Sequence, residues 1–165
     1  MSKVDAQVQL LLDILDAAFD KPSWHGPNLL ASVRRVKARD AAWSPAPDRK
    51  SIWEQVLHAA YWKQRVLNRV KATLDGAPRG TRSAPFPRSP ANWPGIPKPP
   101  TDDGWRADVQ LLIDIHTNLR AAVARLAKRR ERPPRLIKMI YGVAAHDLYH
   151  AGQINLLRRL HGGRR

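Results

Sequence analysis

The sequence has no cysteine, which excludes a disulfide framework, a thiolate zinc site, an iron–sulfur cluster and a cysteine nucleophile. Nothing in the composition asks for an oxidising compartment, so a cytoplasmic location is expected. Glycine is scarce, at nine residues, and none lies in a phosphate-cradling pattern after a strand-like run. That argues against a nucleotide-binding α/β enzyme. Period-two alternation is equally hard to find. Long apolar runs are missing too: Leu10, Leu11 and Leu12 are followed by Asp13 and Asp16, far short of a membrane span or signal core. Neither a secreted nor a membrane-spanning protein is expected. Acids are the scarce charge, with 14 Asp+Glu against 29 Lys+Arg and a formal net charge of +15. The 165 residues are expected to form a single domain, 1–165. A chain of this length can bury roughly 70% of the surface it exposes when unfolded.

Helical periodicity dominates what is present. A first helix is predicted over about 3–20, with Val8, Leu11, Leu12, Leu15 and Phe19 on one face and Pro22 and the Trp24-His25-Gly26-Pro27 turn beyond its end. A short helix over about 28–38 follows. The second long helix opens on a capping box, Ser51 with Glu54, and runs to about Leu74, with Trp53, Leu57, Ala60, Gln64 and Leu67 facing inward. Residues 75–100 hold eight of the 14 prolines and three glycines, which excludes helix and predicts a long Pro-rich crossover to the third helix. Phe86 and Trp93 should pin that connection to the bundle. Thr101, Asp102 and Asp103 mark the start of the third helix, expected to reach about Arg130. Pro133 and Pro134 force a turn, and the fourth helix is expected over about 135–160, ended by Gly162 and Gly163. The expected fold is all-α, a four-helix bundle.

His146 and His150 lie about 40° apart on a helix that turns about 100° per residue, in the middle of a stripe with Met139, Gly142, Val143, Gln153, Ile154 and Leu157. Two unpaired imidazoles stacked one turn apart in a core are costly, whereas a shared metal ion takes a lone pair from each. Two hydrogen-bonded core histidines would fit the same spacing. His58, on the shoulder of the second long helix, can look toward a neighbour, and three histidines from two helices would leave a coordination position for water or substrate.

Three segments carry a resemblance. Ser51-Ile-Trp-Glu-Gln-Val-Leu-His58-Ala-Ala-Tyr-Trp-Lys, Pro85-Phe-Pro-Arg-Ser-Pro-Ala-Asn-Trp-Pro and Tyr141-Gly-Val-Ala-Ala-His146-Asp-Leu-Tyr-His150-Ala-Gly-Gln-Ile together resemble the DinB-like (DinB/YfiT) superfamily. The resemblance implies a metal-binding four-helix bundle in which His58, His146 and His150 bind a divalent ion, zinc or nickel. Characterised members include thiol-dependent S-transferases and isomerases, so the resemblance favours transfer of a low-molecular-weight thiol to a small electrophilic molecule; an ion that activates water would equally suit a hydrolase. Relatives often look dimeric, and a bundle with six tryptophans has the material for a homodimer interface.

Other residues invite weaker roles. His25 in its turn, with Tyr61 and Trp62, could stand at a pocket mouth, although a turn histidine is ordinarily a surface group. Glu54 could orient the free nitrogen of His58, but the capping box already explains it. Asp147 gives His-Asp-x-x-His, superficially like a metalloprotease motif; its short side chain suits a hydrogen-bond partner of the site better. Gln153 could contact substrate or satisfy buried backbone. His116 is expected to meet a neighbouring polar group, and His161 to suit the last turn of its helix.

Basic residues gather late in the chain: Arg125, Lys128, Arg129, Arg130, Arg132, Arg135 and Lys138, then Arg158, Arg159, Arg164 and Arg165. Solvated faces and helix C-termini account for many such charges. The surplus would still attract nucleic acid or a small anion nonspecifically, which leaves a basic interaction protein without catalysis as the alternative function. No recognition-helix or zinc-finger signature supports it.

Overall fold

The computed structural model describes residues 5–78, 81 and 83–162. Lys3, Gly163, Arg164 and Arg165 lie outside these residues. Among the described residues six α-helices follow one another: α1 (Ala6–Phe19), α2 (Leu29–Val33), α3 (Ala38–Ala42), α4 (Ile52–Leu74), α5 (Asp102–Arg125) and α6 (Pro134–Gly162). Among the described residues there is no strand, and no helix is long and apolar enough to cross a membrane.

Local chemistry sets most of the boundaries. Asp5 caps α1 by accepting from the Val8 amide, and Thr101 caps α5 by accepting from Gly104. The Ser51–Glu54 capping box at α4 is complete. Pro134 opens α6, where its missing N–H costs no hydrogen bond.

Two boundaries differ from the sequence reading. The helix expected over 28–38 stops at Val33; the chain breaks where Arg35 takes a positive φ of 61° and a second short helix, α3, starts only at Ala38 and runs to Ala42. Tertiary bonds hold the break open: the Trp105 indole donates to the Val36 carbonyl at 2.8 Å, and Asp102 accepts from the Ala38 amide at 3.0 Å. The helix expected to reach Arg130 ends at Arg125 and tightens into a 3₁₀ turn, Leu126–Lys128. There the Arg132 side chain donates to the Leu126 carbonyl at 3.0 Å, and Arg129 reaches Leu74 O at 3.2 Å.

Cross-contacts give the helix directions. Trp53 meets Asp108 and Lys63 meets His116, so α4 and α5 run parallel. Gln55 meets His150 and Lys63 meets Asp147, so α6 runs against α4. Asp16 pairs with Arg120 and Phe19 stacks on His116, so α1 runs against α5. A parallel α4–α5 pair requires the intervening chain to come back along α4. It does so through contacts of Ala84 with Asn68, Phe86 with Tyr61, and Asn92 with His58.

The core falls into two apolar clusters. One packs Val8–Leu15 of α1 with the C-terminal halves of α4 and α5 and residues 136–144 of α6. The other packs Phe19, α2 and α3 with the N-terminal halves of α4 and α5 and with Ile154 and Leu157. A polar layer separates them at the level of Lys63, His116, Asp147 and His150, all buried.

Candidate metal centre

His58 sits two turns into α4, and His146 and His150 occupy successive turns of the antiparallel α6. The three rings meet at their Nε2 atoms. His146 Nε2 is 3.2 Å from His58 Nε2 and 3.0 Å from His150 Nε2. His58 and His150 are buried and His146 is half-buried.

The outer nitrogens of two rings are already engaged. His58 Nδ1 lies 2.6 Å from the Asn92 carbonyl oxygen, a pure acceptor, so the ring donates there and its Nε2 keeps a lone pair. His150 Nδ1 lies 3.0 Å from Gln55 Oε1, which fixes the same tautomer. Two lone pairs therefore point at one place. A proton on His146 Nε2 could satisfy only one of them, and His146 Nδ1 is buried with no partner among the described residues. Three nitrogens that repel one another when empty-handed are satisfied together by one cation, and the donor set fits a divalent ion. The His146 ring packs edge-on to His150 and Trp62.

Burial favours the neutral form of all three rings, the form a metal ion requires of a histidine. It lowers the pKa of His58, with the Asn92 bond opposing. It takes His146 down to about 4, helped by His58 and Lys63, and His150 down to about 3, helped by His146 and His58.

Aromatic rings wall the site. Trp93 stacks on His58 with centroids 3.8 Å apart, and Lys50 sits 5.4 Å over the Trp93 ring. Trp62 meets His58 and His146 edge-on. The remaining side opens into a cavity of about 430 Å³ bounded by Arg49, Lys50, Tyr149, Gln153, Leu156 and Leu160 together with the three histidines.

Several residues singled out from the sequence lie elsewhere. His25 is exposed, near Ser23, and does not line the cavity; neither do Tyr61 and Trp62. Glu54 serves the capping box and pairs with Lys50. Asp147 is not a partner of the histidines: about 100° round the helix from His146, it points into the core and pairs with Lys63 at 2.5 Å. Gln153 lines the cavity and donates to the Tyr149 hydroxyl at 2.8 Å. His116 accepts from Lys63 at 3.0 Å, and His161 lies 3.0 Å from Asp40. Gln64, expected inward, is half-buried, while the adjacent Lys63 is fully buried.

The sequence reading missed Gln55, Asn92 and Lys63. Gln55 and Lys63 carried a signal, being polar residues inside the apolar stripe of α4. Asn92 acts through its backbone carbonyl, which no side-chain pattern reveals.

The family model of the DinB superfamily matches residues 23–154, a span that contains all three histidines. No curated protein and no solved structure matches the chain.

Proposed function

The chain belongs to the DinB superfamily, and from that premise we propose that it is a divalent-metal-dependent enzyme acting on a small molecule, with His58, His146 and His150 as the metal ligands. The observation that carries this reading is the meeting of three neutral Nε2 atoms beside an open cavity. Zinc or nickel suits three imidazoles. Such an ion supplies Lewis acidity, lowering the pKa of a thiol or water so that a nucleophile exists near neutral pH. Transfer of a small thiol to an electrophile is the favoured reaction and hydrolysis the second, in line with the family resemblance.

The chain's own residues do the rest. Gln55 and the Asn92 carbonyl fix the tautomers of His150 and His58. Trp93 and Trp62 keep water from two sides of the histidines. Tyr149 and Gln153 offer hydrogen-bonding groups on the cavity wall, and Leu156 and Leu160 offer apolar surface.

Metal analysis of untagged protein tests the reading first. About one divalent ion per chain is expected, lost in the His146→Ala/His150→Ala variant, and thiol-plus-electrophile turnover should disappear with chelator. Protein that is metal-free and takes up neither added zinc nor nickel overturns the proposal.

A further inference from the structure

Behind Trp62, on the side away from the open cavity, lies a second cavity of about 460 Å³ between α4, α6 and the returning segment. Arg65 and Arg69 of α4 and Arg135 of α6 line it, together with Ser83 and with Trp62 and Met139 as apolar surface. Among the described residues no carboxylate lines it.

Three positive side chains thus share one cavity. Arg88, Arg106, Arg120 and Arg132 each pair with an aspartate. Arg65, Arg69 and Arg135 make no ion pair among the described residues. Arg65 and Arg69 stand four apart on one helix, a spacing at which like charges repel. Arg135 lies in the first turn of α6, which holds no acid, so it faces the positive end of the helix dipole. Arg65 and Arg135 are exposed and Arg69 is half-buried, and none of the three sits in the last turn of a helix, where the dipole would offset its charge. An anion held between them would offset all three repulsions.

The geometry points to a binding site for a phosphate-bearing small molecule. The guanidinium groups of Arg65, Arg69 and Arg135 would grip the phosphate, and Trp62 and Met139 would pack against its organic body. The volume exceeds what a bare phosphate fills and suits a molecule of nucleotide size. Arginine serves this purpose better than lysine because its planar fork bonds phosphate oxygens two at a time. The site is separate from the histidines, with the Trp62 ring standing between them.

Calorimetric titration of the full chain, pretreated with chelator, tests the assignment with pyrophosphate and adenosine monophosphate as probes at physiological salt. Saturable binding at about one site per chain is expected, weakened about tenfold or more by Arg69→Gln and by Arg135→Gln. Arg106→Gln, which changes the net charge equally at a distant paired arginine, should leave it intact, as should His146→Ala/His150→Ala. Equal weakening by Arg106→Gln would mean a bulk-charge effect, and loss in the histidine variant would move the anion to the triad; either overturns the proposal. So would duplex DNA binding that depends on Arg69 and Arg135 while neither probe binds. Circular dichroism of each arginine variant confirms that it folds.

Discussion

Replacing Lys63 with methionine tests the polar layer most directly. Both side chains of the Lys63–Asp147 pair are wholly shielded from solvent, with Nζ 2.5 Å from Asp147 Oδ2, 3.0 Å from His116 Nδ1 and 4.7 Å from the Phe19 ring centroid. Methionine keeps the length and removes the charge, stranding a carboxylate whose other oxygen already has no partner among the described residues. Breaking a buried pair in this way costs about 3–5 kcal/mol. For a chain of this size that corresponds to a fall in Tm of roughly 6–20 °C. Burial already raises the Asp147 pKa, with Lys63 opposing, so removing Lys63 raises it further. A carboxyl with a raised folded-state pKa loses stability as pH rises, so the variant's deficit should be smaller at pH 5 than at pH 8. Urea unfolding of chelator-treated protein, followed by circular dichroism, measures both effects. The Lys63→Met/Asp147→Leu double variant should recover most of the loss, because an apolar pair of similar volume leaves nothing unsatisfied. A single-variant loss below about 1 kcal/mol, or a double variant no more stable than the single, refutes the reasoning.

Two further outcomes follow from neighbouring residues. His116 is held neutral, its pKa lowered to about 2 by burial and then by Lys63, Arg120 and Lys21, so the unfolded chain binds a proton below pH 6.5 that the folded chain refuses. Stability should therefore fall with acidification, by about 2–3 kcal/mol from this ring between pH 6.5 and 4.5. The His116→Gln variant should unfold with one fewer proton taken up near pH 5, and identical pH slopes would rule this out. Gln55→Leu removes the acceptor that orients His150 and should weaken zinc affinity about 10–100-fold in a competition titration with a chromophoric chelator. Unchanged affinity would deny Gln55 that role.

How much of this could be read from the sequence depended on which groups carry the information. The i, i+4 pair His146 and His150 was legible because helical spacing alone puts both rings on one face, and the Ser51–Glu54 box was legible because its chemistry is local. Asp147 misled because proximity in sequence is not proximity on a helix: one residue's rotation turns it from the triad into the core. The break at Arg35 was illegible for another reason, since the groups that stabilise it, Asp102 and Trp105, are far along the chain. His58 would have seemed only half-inward without the Trp93 ring, which the returning segment lays across it.

That returning segment also sets a ruler on the molecule. The 23 residues of α4 rise about 34 Å, a distance that about ten extended residues could cover. The chain uses more than that, and its contacts at Ala84, Phe86 and Asn92 show where the surplus is taken up. Between Phe86 and Asn92 the chain needs to cover only the rise of about 4.5 Å from Tyr61 to His58, so its bends over these residues, and not its reach, set where the Asn92 carbonyl meets the imidazole. A stretch that looks like a replaceable connector is, over those few positions, a gauge that keeps the histidine ring in register.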